Sequence, residues 1–125
     1  MPGVTLDAGA LIALERDDRR VLVLLARARE TGASVTVPAT ALAQVVRAPA
    51  RQVRLARLVR QPTTDVVALG RVDATSVGRL LAASGTSDIA DAHVVICARR
   101  AGQHVATSDP DDLRVLDPNL RVVHV

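Results

Sequence analysis

The chain has 125 residues, a formal net charge of +3 and 49% hydrophobic residues, yet no Phe, Tyr or Trp. This length and composition imply one domain spanning residues 1–125 with a core of Val, Leu, Ile and Ala. All basic side chains are Arg; the absence of Lys excludes phosphate-binding P-loops and Schiff-base chemistry, and the lone Cys97 excludes a disulfide framework or a Cys-rich zinc site.

In chain order, GVTLD (residues 3–7) reads as a short buried strand ending in Asp7. AGALIALE (8–15) follows as a helix with Leu11, Ile12 and Leu14 on its apolar face. Residues 17–32 begin acidic, turn basic and end in Gly32, the polarity that suits a helix macrodipole. Residues 33–38 form a second strand; 39–47 and 50–60 read as two helices separated by Pro49. Residues 64–69 are a third strand. Residues 72–84 and 87–102 are helices closed by Gly85 and Gly102. Residues 104–107 are a fourth strand, 110–116 a short helix and 121–125 a last strand.

Short apolar strands alternating with helices predict an α/β fold, with a central mostly parallel sheet of four to five strands flanked by helices. No apolar run approaches the length of a membrane span, and the first residues do not read as a signal peptide, so a cytoplasmic protein is expected.

Carboxylates gather where helices begin. Asp7 and Asp109 each follow a strand, and Asp88 and Asp91 open the helix of residues 87–102. Capping explains one carboxylate per helix: Asp is a preferred N-cap, Asp109-Pro110 fits the cap-then-proline pattern, and Asp112 stands where a capping box has its acid. In a parallel sheet, however, all strand carboxyl ends share one edge, where ligands bind. Two charges about 4 Å apart repel by roughly 4 kcal/mol at an effective dielectric near 20. That exceeds the contribution of a cap, so converging carboxylates call for protons or a hard cation such as Mg²⁺ or Mn²⁺.

TLDAGALIAL, DAHVVICARRAG and VATSDPDDL, taken together and in this order, resemble the signature segments of PIN-domain nucleases, especially the VapC-type ribonuclease toxins. The resemblance runs along essentially the whole chain. It implies a single PIN-like domain and Mg²⁺- or Mn²⁺-dependent cleavage of RNA. It also implies homodimers and a cognate antitoxin that blocks the acidic pocket. Residue by residue, Asp7, Asp91 and Asp109 match the family's catalytic, metal-binding acids, and Asp112 matches an additional acid. The family's mid-chain Glu falls on Gln44, which offers a neutral oxygen and removes one negative charge. Asp88, one turn before Asp91, is a candidate to restore that charge. A catalytically degenerate PIN-like module that binds RNA or protein is the alternative.

Thr107 and Ser108 are candidates to position a phosphate, with ordinary turn hydroxyls as the competing reading. Arg51, Arg54, Arg57 and Arg60 recur at every third position. They form either a phosphate-binding stripe, with Arg51 and Arg54 as substrate contacts, or a solvated face. His93, two residues after Asp91, points away from it. A phosphatase of the haloacid-dehalogenase type also starts with a strand and an Asp, but needs a second Asp where this chain has Gly9.

Overall fold

The computed structural model describes residues 3–125. Its strands are β1 (Val4–Leu6), β2 (Val35–Pro38), β3 (Thr64–Val67), β4 (His104–Thr107) and β5 (Val122–His124). Its α-helices are α1 (Ala8–Glu15), α2 (Arg19–Thr31), α3 (Ala39–Val45), α4 (Val53–Arg60), α5 (Arg71–Ser84), α6 (Ile89–Ala101) and α7 (Pro110–Leu116). The strands form one sheet in the order β3-β2-β1-β4-β5, and every pairing is parallel. This is the α/β architecture that the alternating pattern predicts.

Strands β1, β2 and β4 are buried in the centre, which is why they read as unbroken apolar runs rather than as alternating ones. The core is aliphatic throughout. Leu6, Leu11, Val37, Val94, Val105 and Leu113 are among its fully buried side chains, and Cys97 joins it as a small apolar residue at 2% exposure. Helix α6 contributes most to it, packing on β1, β2 and β4 and against α3, α5 and α7. A buried polar tie crosses the amino ends of the three central strands: Thr5 donates to Gln103 Oε1 at 2.8 Å, and Gln103 Nε2 donates to Ser34 Oγ at 3.0 Å. Among the described residues, no single helix is long and apolar enough to cross a membrane.

The expected helix over residues 50–60 is in fact two pieces. A 3-10 turn, Pro49–Arg51, precedes α4, and Gln52 separates them. Gln52 Oε1 accepts from the N–H of Arg47 at 3.0 Å and of Ala48 at 3.2 Å, while its Nε2 donates to Val45 O at 2.8 Å. One side chain thus ties the end of α3 to the start of α4. The first turn of α4 is completed by Glu15, at the end of α1, which accepts from Leu55 N at 2.8 Å. These partners are supplied by tertiary structure, so the break is invisible to helical periodicity. Arg51 is consequently not a member of the α4 stripe.

Between α5 and α6 lies a second group of buried polar residues. Asp73 is ion-paired with Arg100, and His93 Nε2 stands 4.0 Å from Asp73. His93 is fully buried, with Nδ1 2.8 Å from the Thr40 hydroxyl. The Arg100 guanidinium holds the Asp73 carboxyl below the usual carboxylate range, and burial holds the His93 imidazole below its ordinary value.

Candidate active site

The chain runs outward from β1 through β2 to β3, then returns to the other side of β1 with β4 and β5. The direction of winding reverses between β1 and β4. In an open parallel sheet such a reversal leaves a crevice at the carboxyl ends of the strands. Asp7 follows β1 and Asp109 lies two residues past β4, so both flank this crevice.

Asp7 is 5% exposed. Its Oδ1 accepts from Ala10 N at 2.8 Å, making it the N-cap of α1, and its own N–H donates to Ala106 O at 3.3 Å. The Thr107 hydroxyl donates to its carboxylate. Burial nevertheless dominates and raises the Asp7 carboxyl above the ordinary value, with Asp109 adding repulsion.

Asp91 occupies the first turn of α6. Its N–H donates to Asp88 Oδ1 at 2.9 Å, so Asp88 is the N-cap of that helix. The Asp91 carboxyl is pushed up to about 6, first by burial and then by repulsion from Asp88, Asp7, Asp112 and Asp109. Five carboxylates from β1, α6 and the β4–α7 segment therefore act on one another in a single region. Thr86, Ser87, Asp88, Asp91 and Asp112 line a cavity of about 310 Å³ there.

Asp109 departs from the capping expectation. It stands at the N-cap position of α7, but its side chain makes no capping hydrogen bond. Its N–H donates instead to Thr107 Oγ1 at 2.9 Å. Its carboxyl group shares a hydrogen bond with Asp112, which raises the Asp112 carboxyl. The expected capping box does not form: the two carboxyl groups face one another in solvent, and the proximity of Asp109 raises the Asp112 carboxyl.

The two hydroxyl candidates also differ from one another. Thr107 is fully buried and is engaged by Asp7 and the Asp109 N–H, so it holds the acids in place rather than facing a substrate. Ser108 is exposed and lies over Gly9. A Cβ at position 9 would stand 2.1 Å from Ser108 Oγ and 3.4 Å from Asp7 Oδ1. The Ser108 hydroxyl is the exposed end of a rotatable side chain and can turn aside; what argues against a haloacid-dehalogenase-type phosphatase is the Gly itself, which supplies no second carboxylate.

Gln44 lies exposed on α3. Arg51 is an exposed residue of the 3-10 turn. Arg54 pairs with Asp17 at 3.1 Å. With Arg57 it lines a cavity that also includes Val35 and Thr64, the first residues of β2 and β3. That cavity lies toward the amino ends of the strands, whereas the acids lie at the carboxyl edge. The structure therefore does not bring Arg54 to the acids. His93 points away from Asp91 into the α5 contact, as its helical offset predicts.

The all-oxygen donor set of this edge suits a hard divalent cation. Among the described residues, no three Asp, Glu, His or Cys side chains stand close enough to form a ready-made ligand set. The carboxylates share a region without forming a closed coordination shell.

By sequence, the chain matches no family model and no curated protein. By structure it is similar to a chain from the crystal structure of VapBC2 from Rickettsia felis bound to a DNA fragment from their promoter. That match has a TM-score of 0.69 and 12% identity and covers 97% of each chain. It is also similar to a chain of FitAcB from Neisseria gonorrhoeae, with a TM-score of 0.64 and 16% identity over 97% of this chain and 96% of that one. The chain therefore shares its α/β fold, over 97% of its length, with chains of these two assemblies.

Proposed function

We propose that the protein is a metal-dependent endoribonuclease and the toxin of a toxin–antitoxin pair. The observation that carries this reading is the Asp91 carboxyl, raised to about 6 in a region shared with Asp7, Asp88, Asp109 and Asp112. A carboxyl raised first by burial and then by four neighbouring acids is characteristic of functional sites. The likeness to chains of the VapBC2 and FitAcB assemblies supports the toxin–antitoxin assignment.

Asp7, Asp91 and Asp109 would hold Mg²⁺ or Mn²⁺, with Asp88 and Asp112 next to them. When bound, the ion supplies Lewis acidity for phosphodiester hydrolysis. The chain's own contribution is positional. Asp7 is fixed from two sides, by the Ala10 N–H and by the Thr107 hydroxyl. The same hydroxyl fixes the Asp109 backbone. The Asp88 cap fixes the first turn of α6, and with it Asp91.

The test is an RNA cleavage assay with Mn²⁺, with EDTA, and with the Asp7→Asn variant. Cleavage that persists in EDTA and in Asp7→Asn rejects the reading. A second reading, a binding module without catalysis, is favoured by one observation: position 44 carries an exposed Gln instead of a carboxylate. Titration of Mn²⁺ by calorimetry into the natural chain and into Gln44→Glu separates the two. Binding by the Glu variant alone selects the module.

A further inference from the structure

A cavity of about 410 Å³ lies between the outward face of α2 and the edge strand β5. Arg19, Arg20 and Arg27 rim it, Val23 and Val123 supply apolar surface, and no Asp or Glu side chain lines it. Arg19, Val23 and Arg27 follow one another at intervals of four, so they share one face of the helix. Arg20 is partly neutralised by Asp18 at 3.8 Å, but among the described residues neither Arg19 nor Arg27 has an ion-pair partner. Val23 is 51% exposed and stands between the two guanidinium groups on that face.

The strand wall of the cavity is paired with the strand that leads to the acids. Its strand wall includes His124, which pairs in register with Thr107. It also includes Val125, whose N–H donates to Thr107 O at 2.9 Å. Thr107 is the residue that holds Asp7 and Asp109. The unpaired positive charge of α2 is therefore one strand away from the acidic crevice.

We infer that Arg19 and Arg27 bind phosphates of single-stranded RNA flanking the cleaved bond, with a base seated over Val23 and Val123. This assignment rests on the nuclease reading. A guanidinium plane can pair with a phosphate and stack on a base. In a chain without Phe, Tyr or Trp, stacking on aromatic residues of the usual kind is closed, and arginine is the abundant planar side chain left. An acidic peptide would satisfy the charges, but would leave the pairing of planar groups with an apolar floor beside a phosphodiester site without a use.

The experiment is fluorescence anisotropy of a labelled single-stranded RNA in EDTA, where no cleavage intervenes, over a range of salt concentrations. The Arg19→Ala/Arg27→Ala double variant should bind about tenfold or more weakly, with a salt slope shallower by about 1.4 for two lost phosphates. Arg19→Lys/Arg27→Lys should keep the natural salt slope but lose part of the affinity. Arg57→Ala, in the other arginine-lined cavity, should change neither quantity. Thermal unfolding confirms that each variant is folded. Unchanged affinity and slope in the double alanine variant overturn the inference while leaving Mn²⁺-dependent cleavage, and hence the nuclease reading, intact. RNA binding that depends on Arg19 and Arg27 without any Mn²⁺-dependent cleavage supports the inference and rejects the nuclease reading. A natural chain that binds poly-glutamate through these arginines but binds no RNA overturns the inference in favour of a protein partner.

Discussion

The hydroxyl of Thr107 donates to the carboxylate of Asp7 and accepts from the Asp109 N–H at 2.9 Å, so one buried side chain joins the ends of the two strands that flank the crevice. Removing it leaves Asp7 with less hydrogen bonding at the same burial. Thr107→Val should raise the Asp7 carboxyl further and lower stability by about 1–2 kcal/mol. Thr107→Ser should preserve most of both. Chemical denaturation of the two variants beside the natural chain checks this, and equal stability of the Val and Ser variants would contradict it.

Asp91 gives a pH dependence of defined sign. Its carboxyl is raised from 3.8 to about 6. The stability it contributes is fully present below about pH 4 and is lost as pH rises through about 6. Near neutrality the charged group therefore works against folding. Asp91→Asn should raise stability there by roughly 1–2 kcal/mol, a value discounted for the solvent screening of a half-buried group. The melting temperature should rise on the order of 5 °C, and the difference should vanish near pH 4. Melting curves across that pH range decide it.

The buried pair between α5 and α6 acts in the opposite sense. His93 is held below its ordinary 6.5 and Asp73 below 3.8. Each contributes stability above its unfolded value that is lost on acidification. With the Asp91 effect removed in Asp91→Asn, the melting temperature should fall as pH drops below 6.5. Asp73→Asn should cost about 2 kcal/mol near neutrality, through its weakened bond to Arg100. A flat melting profile below pH 6.5 would show that His93 takes up its proton in the folded state without penalty.

Restoring a carboxylate at position 44 tests the missing charge. Gln44→Glu should tighten Mn²⁺ binding on the order of tenfold, equivalent to about 1.4 kcal/mol. Calorimetry reads this directly. An unchanged affinity would mean that α3 does not face the ion.

The order and type of the elements were legible because they rest on local signals. Gly32, Gly85 and Gly102 all end helices in the left-handed conformation, and apolar runs marked the buried strands. That Asp7, Asp91 and Asp109 lie within one region, though not as a closed ligand set, was legible only by combining parallel strands with helix starts. What escaped depended on partners distant in sequence. The break at Gln52 needs the Arg47, Ala48 and Val45 backbone around it. Asp109 looked like a cap because Asp-Pro is a capping pair, yet its side chain accepts no helix N–H, and Thr107 rather than Asp112 accepts from its own N–H. The Asp73–Arg100 pair with His93 left one faint trace: Ala90, His93 and Cys97 recur at helical spacing, all buried. His93 was therefore readable as a core position, but its acidic neighbour on α5 was not.

The pairing of β1 with β4 has a consequence for when the acidic region assembles. These neighbouring strands lie at nearly opposite ends of the polypeptide, with Leu6 in register with Ala106. A product of interrupted translation that stops before β4 lacks the central strand's partner, Asp109 and Asp112 together. The acidic region at the carboxyl edge of the sheet therefore cannot assemble until synthesis has passed β4 and the first turn of α7.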